Sequence, residues 1–476
     1  MIIGREKETQ ELLRALESDR TEFVVLYGRR RVGKTFLIDS VYRDHIVFRH
    51  AGLPPKKATP KQRMKLQLEA FAVSLRRAGA DVPETGFATW MDAFYALEQF
   101  LNRWDKDKKR VVFLDELPWM DTVSSNFLDA FQYFWSNYLC YQNHIVLAVT
   151  GSASSWILEN IVNNDKGFYA RDTHEILLKP FTLRETRKLL EANGVHFSSY
   201  EVAQIYMAVG GVPYYLNFFL GGESVAQNID RLFFGSAAKL GDEFKKLFTS
   251  QFTTPELCEK IVRALAEKSI GMSGEELSTS VGLKSSGSFY GVLRALRSSG
   301  FLEEYSLFGE RARDTYFKLV DPFCYFYLKQ VEPHQRDARY WSSNASSSHV
   351  MSFYGYAYEL LCFAHAEQIK SALGISGIDA RIAPFLERSA EGNAQIDMVI
   401  RRADNVTNLC EAKWRGEEYV MDKAEHLALE RRKAVLSSKL LKRESVHCVL
   451  LTTFGLKRGE YRSDFDKVIT LEDLFL

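Results

Sequence analysis

Eight consecutive residues, Gly28-Arg29-Arg30-Arg31-Val32-Gly33-Lys34-Thr35, carry the most specific chemistry in this sequence. The spacing G-x-x-x-x-G-K-T is that of a loop that wraps phosphate groups. Its glycines let backbone N–H groups turn inward, and a helix opening at the end of the loop adds positive potential. On this reading Gly28, Arg29, Arg30, Arg31, Val32 and Gly33 line a nucleotide, with no separate role for the three arginines. Lys34 reaches the β/γ-phosphates and Thr35 ligates Mg²⁺, ATP being the nucleotide expected. Leu114-Asp115-Glu116 ends a second apolar run, which puts Asp115 beside the Mg²⁺ and makes Glu116 the base or positioner for water. A third run ends at Thr150-Gly151-Ser152, whose hydroxyls would sense the γ-phosphate or the water; for Ser152 a helix N-cap is the alternative.

Such residues need a sheet to hold them at one edge. Glu22 to Tyr27, Arg110 to Leu114 and His144 to Val149 are β-rich runs with helical stretches between, the alternation of a parallel sheet covered on both faces. The fold expected is therefore α/β, with a P-loop ATPase core over 1–180. Beyond Pro180-Phe181-Thr182 the pattern turns helical, and a small helical lid is expected over 181–235. Over 236–330 a helix from Pro255 to Ala266, a capping box at Ser273-Gly274-Glu275-Glu276, a third helix from Ser286 to Ser298 and a hairpin read as a winged helix-turn-helix. Ser342 to Ser348 is small and polar, the composition of a solvated linker, placed at 331–350. A last domain is expected over 351–476.

Composition narrows the setting. With 46% apolar and 26% charged residues the chain is an ordinary globular one, and 476 residues call for several cores. A net charge of +1 gives no global field toward an anionic polymer, so any contact with nucleic acid must come from local patches. The six cysteines are scattered singly and read as buried free thiols in a reducing cytoplasm. No secretion signal is visible, and no apolar run approaches the roughly 20 residues that span a bilayer, so a cytoplasmic protein without membrane contact is expected.

Several of these motifs resemble those of the AAA+-related bacterial and archaeal ATPases close to the STAND branch. They are Ile3-Gly4-Arg5-Glu6, the phosphate loop, Leu114-Asp115-Glu116-Leu117-Pro118, Thr150-Gly151-Ser152, Gly167-Phe168-Tyr169-Ala170-Arg171, Gly210-Gly211-Val212-Pro213 and Asp321-Pro322-Phe323. The resemblance implies that Ile3 and Gly4 border the adenine, that Pro213 packs near it from the lid, and that Arg171 acts as an arginine finger or sensor. Glycine usually precedes that arginine in the family; here Ala170 does.

The family's C-terminal region resembles the PD-(D/E)XK nucleases, which implies an α/β restriction-endonuclease-like domain. This chain offers Glu359 on a helix, Asp397 in Gln395-Ile396-Asp397-Met398-Val399-Ile400, and Glu411-Ala412-Lys413 at the end of a strand. Phosphodiester hydrolysis needs carboxylates to hold Mg²⁺ or Mn²⁺ and a lysine beside the attacking water. Glu359, Asp397 and Glu411 are the expected metal ligands and Lys413 the expected lysine, since strand alternation puts Glu411 and Lys413 on one face. Arg431 and its neighbours Glu430, Arg432 and Lys433, like Lys284, Arg294 and Arg297 of the winged segment, are either phosphate contacts or solvated charges.

Two functions stand at this level. One is an ATPase that couples nucleotide state to DNA binding and Mg²⁺-dependent DNA cleavage, favoured by the intact carboxylate and lysine set. The other is an ATP-dependent signalling or assembly switch whose nuclease-like domain is an inactive scaffold, favoured by the near-neutral charge. The oligomeric state is open, a homo-oligomer among the options.

Overall fold

The computed structural model describes residues 2–54, 58–105, 107–163, 173–249, 251–306, 315–389 and 392–476. The chain divides into two compact units. The first takes Met1–Lys179 together with the short segment Thr249–Thr253, and the second takes Pro180–Phe248 and Thr254–Leu476.

The first unit is built on five parallel strands: β1 (Glu22–Tyr27), β2 (Ile46–Ala51), β3 (Arg110–Asp115), β4 (Ile145–Gly151) and β5 (His174–Leu177). Their order is β2-β3-β4-β1-β5. Every residue of β1 and β4 is buried, as a central parallel strand covered on both faces requires. Alternate side chains of β1 feed different cores. Phe23, Val25 and Tyr27 join an aromatic cluster with Phe71, Trp90, Phe94 and Phe127, while Val24 and Leu26 pack with Leu12, Leu37, Val111 and Phe113. Truncating one of these aromatics to alanine costs about 3–5 kcal/mol by the usual core scale. Because β1, β3 and β4 run side by side, the residues after Tyr27, Asp115 and Gly151 all leave the sheet at one edge.

The second unit begins with helices, among them Leu183–Ala192, Ser199–Val209 and Val225–Phe233, each opened by a Ser or Thr capping box. Helices Pro255–Ala266, Gly274–Ser280 and Gly287–Ser298 follow, with a small antiparallel sheet in the order β6-β8-β7: β6 (Met272–Ser273), β7 (Leu302–Ser306) and β8 (Thr315–Leu319). A second five-stranded sheet holds β9 (Ala380–Ser389), β10 (Gly392–Arg402), β11 (Val406–Lys413), β12 (Ser445–Thr452) and β13 (Lys467–Thr470), in the order β13-β12-β11-β10-β9. It is mixed: β9, β10 and β11 are antiparallel neighbours, and β11, β12 and β13 are parallel. The helix Ser348–Ala364 packs on β10 and β11.

The serine-rich stretch Ser342 to Ser348 is mostly exposed, and it is anchored at its start: helix Tyr340–Asn344 buries Tyr340 and Trp341, and Asp230 accepts hydrogen bonds from the Trp341 and Ser342 N–H groups at 2.9 and 3.1 Å. One expectation is corrected here. Of the six thiols, five are buried as expected, but Cys140 is exposed.

Candidate nucleotide site and acidic cluster

The phosphate loop leaves β1 at Gly28, whose φ of 137° and position against Leu178 exclude a side chain: an added Cβ would lie 2.5 Å from the Leu178 carbonyl oxygen. Gly33, at φ 97°, caps the helix Lys34–Tyr42. Lys34 is buried, and its amine donates to the carbonyls of Gly28 and Arg29 at 2.9 and 3.0 Å and to the Ser152 hydroxyl at 3.1 Å. Burial pulls its pKa down to about 8, against the opposing pull of Glu116 and Asp115. Of the three loop arginines, Arg29 is buried and Arg30 lies over the Trp119 ring, 5.9 Å from its centroid.

The acids behind the loop are held by neutral donors. Asp115 accepts from the Thr35 hydroxyl at 3.0 and 3.1 Å and from the Thr150 hydroxyl. Glu116 stands in the left-handed region at φ 51°, a strained conformation for glutamate that costs about 1 kcal/mol or more. Three hydrogen bonds hold it there. Its N–H donates to Thr150 Oγ1 at 3.0 Å, and its carboxylate accepts from the Ser152 N–H at 2.9 Å and from the Ser152 hydroxyl. Ser152 is therefore a partner of Lys34 and Glu116, and the N-cap alternative fails, since Ala153 precedes the Ser154–Ile157 helix without a side-chain bond. Thr35 and Asp115, a hydroxyl and a carboxylate in contact, fit the hydrated Mg²⁺ of such sites.

Ile3 and Gly4 are half-buried just before Arg5. Arg5, to which sequence reasoning gave no role, donates to the carbonyls of Lys179 at 2.7 Å and Val32 at 3.4 Å, tying the N-terminal turn to the loop. Gln251 was also missed. It belongs to the short segment grouped with this unit, is buried, and its Nε2 donates to the Ser152 carbonyl at 2.9 Å. Pro213 opens a short helix, Pro213–Leu216, in the second unit. Arg171 lies outside the described residues.

In the second unit the C-terminal residues gather at one place. The register of β9 on β10 slips by one residue between Ile396 and Val399, a β-bulge that contains Asp397. One residue beyond the Met398–Cys410 pair, Asp397 comes opposite Glu411, and it accepts a hydrogen bond from the Ala412 N–H. Like charges placed opposite one another on neighbouring strands repel. Burial first and Asp397 second push Glu411 up to about 7, and the same two causes push Glu359 up to about 8. Burial raises Asp397 as well.

Cations compensate. Arg432 NH1 lies 3.0 Å from one Glu411 oxygen and Lys413 Nζ lies 3.8 Å from the other. A small cavity of about 40 Å³ opens beside Glu411, Lys413 and Arg432. As a divalent-ion site the arrangement does not fit: among the described residues no three His, Cys, Asp or Glu side chains are grouped so as to hold a metal. Of the Glu430–Lys433 run, Arg432 is turned inward to Glu411 and is no free phosphate contact. Arg297 is likewise paired with Glu304, while Lys284 and Arg294 are exposed.

Comparison with known proteins bears on the first unit above all. Residues 2–219 match a family described as an ATPase domain predominantly from Archaea. An uncharacterized protein of Methanocaldococcus jannaschii is 24% identical over 343 residues, 70% of this chain and 69% of its own. Among solved structures, a Walker-type ATPase of Pyrococcus abyssi overlaps 69% of this chain and 96% of its own at a TM-score of 0.46 and 17% identity. The ORC2 protein of Aeropyrum pernix, solved as ADPNP and ADP complexes, overlaps 72% and 95% at 0.42 and 14%. Among the described residues no helix is long and apolar enough to cross a membrane. The family match over residues 2–219 and the geometry of the loop agree on a P-loop ATPase domain in that part of the chain.

Proposed function

We propose that this ATPase is a DNA-acting switch, in which the nucleotide held by the first unit governs what the second unit does with DNA. The observation that carries the reading is the bonded set Lys34, Ser152 and Glu116. Phosphate oxygens replace the carbonyl and hydroxyl acceptors of Lys34, which frees the Ser152 hydroxyl and lets Glu116 orient the attacking water. Thr35 and Asp115 would hold a Mg²⁺, which would supply positive charge to the phosphoryl oxygens. By family resemblance Ile3, Gly4 and Pro213 border the adenine and Arg171 is the finger or sensor.

Three features support DNA as the partner. The three helices and the small sheet fit a winged helix, and Lys284, Ser285 and Ser286 are exposed just ahead of its last helix, Gly287–Ser298. Arg294 is exposed on that helix. A cleft of about 620 Å³ beside β13 is lined by Lys457, Arg458 and Arg462 together with one acid, Glu418, a net basic patch on a chain of near-zero net charge.

A second reading, DNA cleavage with Mg²⁺ or Mn²⁺ at the restriction-endonuclease-like domain, rests on the family resemblance and on Asp397 opposite Glu411 beside Lys413, against the lack of a grouped ligand set among the described residues. Supercoiled plasmid incubated with either metal, with and without ATP, separates the two. Binding without nicking supports the switch, and nicking lost in Asp397→Ala supports cleavage. Absence of any DNA binding overturns both in favour of a signalling or assembly switch with a protein partner.

A further inference from the structure

Between β12 and β13 the chain reads Phe454-Gly455-Leu456-Lys457-Arg458-Gly459-Glu460-Tyr461-Arg462, with two aromatics interleaved among three cations. Gly455, Leu456 and all three cations line the cleft beside β13. The loop is fixed by its backbone. The Tyr419 N–H donates to the Gly455 carbonyl at 2.8 Å, the Lys457 N–H donates to the Tyr419 carbonyl at 2.9 Å, and Arg462 NH1 donates to the Leu456 carbonyl at 3.3 Å. Two nearby acids are engaged elsewhere, Asp464 by His426 Nδ1 at 2.5 Å and Asp466 by the Cys448 N–H at 2.7 Å. That leaves Glu418 in the cleft and Glu460 in the loop against the three cations. Among the described residues Lys457, Arg458 and Arg462 form no ion pair, unlike Arg432 and Lys413. Both aromatics are held on one face. Phe454, 48% exposed, stacks on Tyr200 with centroids 5.5 Å apart, and Tyr200 stacks on Trp414 at 4.4 Å. Tyr461, partly exposed, stacks at 4.6 Å on the His426 ring, which Asp464 fixes. A ring already held this way loses little freedom when a flat ligand stacks on it.

We propose that this loop binds single-stranded DNA, its phosphates following Lys457, Arg458 and Arg462 and its bases stacking on Phe454 and Tyr461. In a duplex the faces of the bases are covered by their neighbours, so a pair of rings beside a basic cleft selects the unpaired strand. Cations without carboxylate partners give up only water and counterions to a phosphate, and no buried pair has to break. The inference rests on the reading of this chain as DNA-acting and names the form of DNA that this loop takes.

The experiment uses the full chain and two probes, a labelled oligothymidylate, which forms no duplex, and a labelled blunt duplex, with affinity followed by fluorescence anisotropy across a salt series. Phe454→Ala and Tyr461→Ala are each expected to weaken oligothymidylate binding about 10-fold and to leave duplex binding unchanged. Phe454→Leu, which keeps apolar cover over Tyr200 without a ring, should weaken it likewise, and Phe454→Trp should keep wild-type affinity. Lys457→Ala and Arg458→Ala should each lower the slope of log affinity against log salt by about 0.7, the single-strand value. Wild-type affinity for oligothymidylate in the Phe454→Ala and Tyr461→Ala variants overturns the inference, as does an equal loss for the duplex, and duplex binding by the wild-type chain then leaves the DNA reading standing. Absence of binding to either probe by the wild-type chain overturns the inference and that reading together.

Discussion

Both functional regions place a lysine among acids, but they satisfy those acids differently. At the phosphate loop, Asp115 and Glu116 are held by the hydroxyls of Thr35, Thr150 and Ser152 and by one backbone N–H. In the second unit, Glu411 is held by Arg432 and Lys413. A neutral donor is given up at a net cost near 1 kcal/mol when a cation arrives, whereas a buried ion pair must be broken and its charges rehoused at several. Acid content alone therefore does not mark a metal site. What decides is whether the acids are kept by hydroxyls or by cations.

The largest effect expected is that of Lys34→Ala, which removes the cation closest to the β/γ-phosphates. ATP turnover should fall by about 100-fold or more, measured as kcat/KM alongside nucleotide affinity. An unchanged value would mean that the nucleotide binds elsewhere. Glu116→Gln keeps the shape of the site and loses the base, so ATP should still bind while single-turnover hydrolysis slows by about 100-fold. Hydrolysis at the wild-type rate would move that role to another residue.

The contrast between hydroxyl and cation partners is testable by denaturant unfolding. Arg432→Met leaves buried Glu411 with only the longer Lys413 contact and should cost about 3 kcal/mol in the second unit. Ser152→Ala removes one hydroxyl bond from Glu116 and should cost only about 1 kcal/mol in the first. Similar losses would erase the distinction between the two sites.

The units agree in one respect, since each buries a histidine whose pKa burial lowers to about 4: His50 and His365. His365 reads clearly. Its Nδ1 lies 2.9 Å from the Leu361 carbonyl and so carries the proton, leaving Nε2 to accept from the Leu183 N–H at 2.9 Å. A folded-state pKa below the unfolded one, about 6.5, means that the unfolded chain binds the proton first. Stability is complete above pH 6.5 and falls as pH drops toward 4, by at most about 3 kcal/mol per histidine. Melting of His365→Gln followed from pH 7 to 4 should lack that share in the second unit; an unaltered profile would assign the acid loss to other groups. The smallest effect concerns DNA. Removing the exposed Lys284 and Arg294 should lower the slope of log affinity against log salt by about one each. An unchanged slope would make this helix a protein-docking surface.

The nucleotide site was legible because its chemistry is local. Eight contiguous residues and two strand ends define it, and the register of a parallel sheet brings them together. The C-terminal acids were legible as types on strands, but their partners were not. Arg432 sits in a run that any solvated helix could carry. The bulge that re-aims Asp397 leaves no mark in composition, and Trp341 was overlooked because a run rich in serine follows it.

The short segment Thr249–Thr253, grouped with the first unit while the chain on either side belongs to the second, bears on how this protein can be taken apart. A chain cut after Lys179 would hold the whole phosphate loop and every strand of the parallel sheet, yet it would lack Gln251. The Ser152 carbonyl, on the residue that touches both Lys34 and Glu116, would then lose its donor. Modules in this molecule are contiguous in space and interleaved along the chain. An excised ATPase domain therefore lacks a donor to its own site that the full chain supplies.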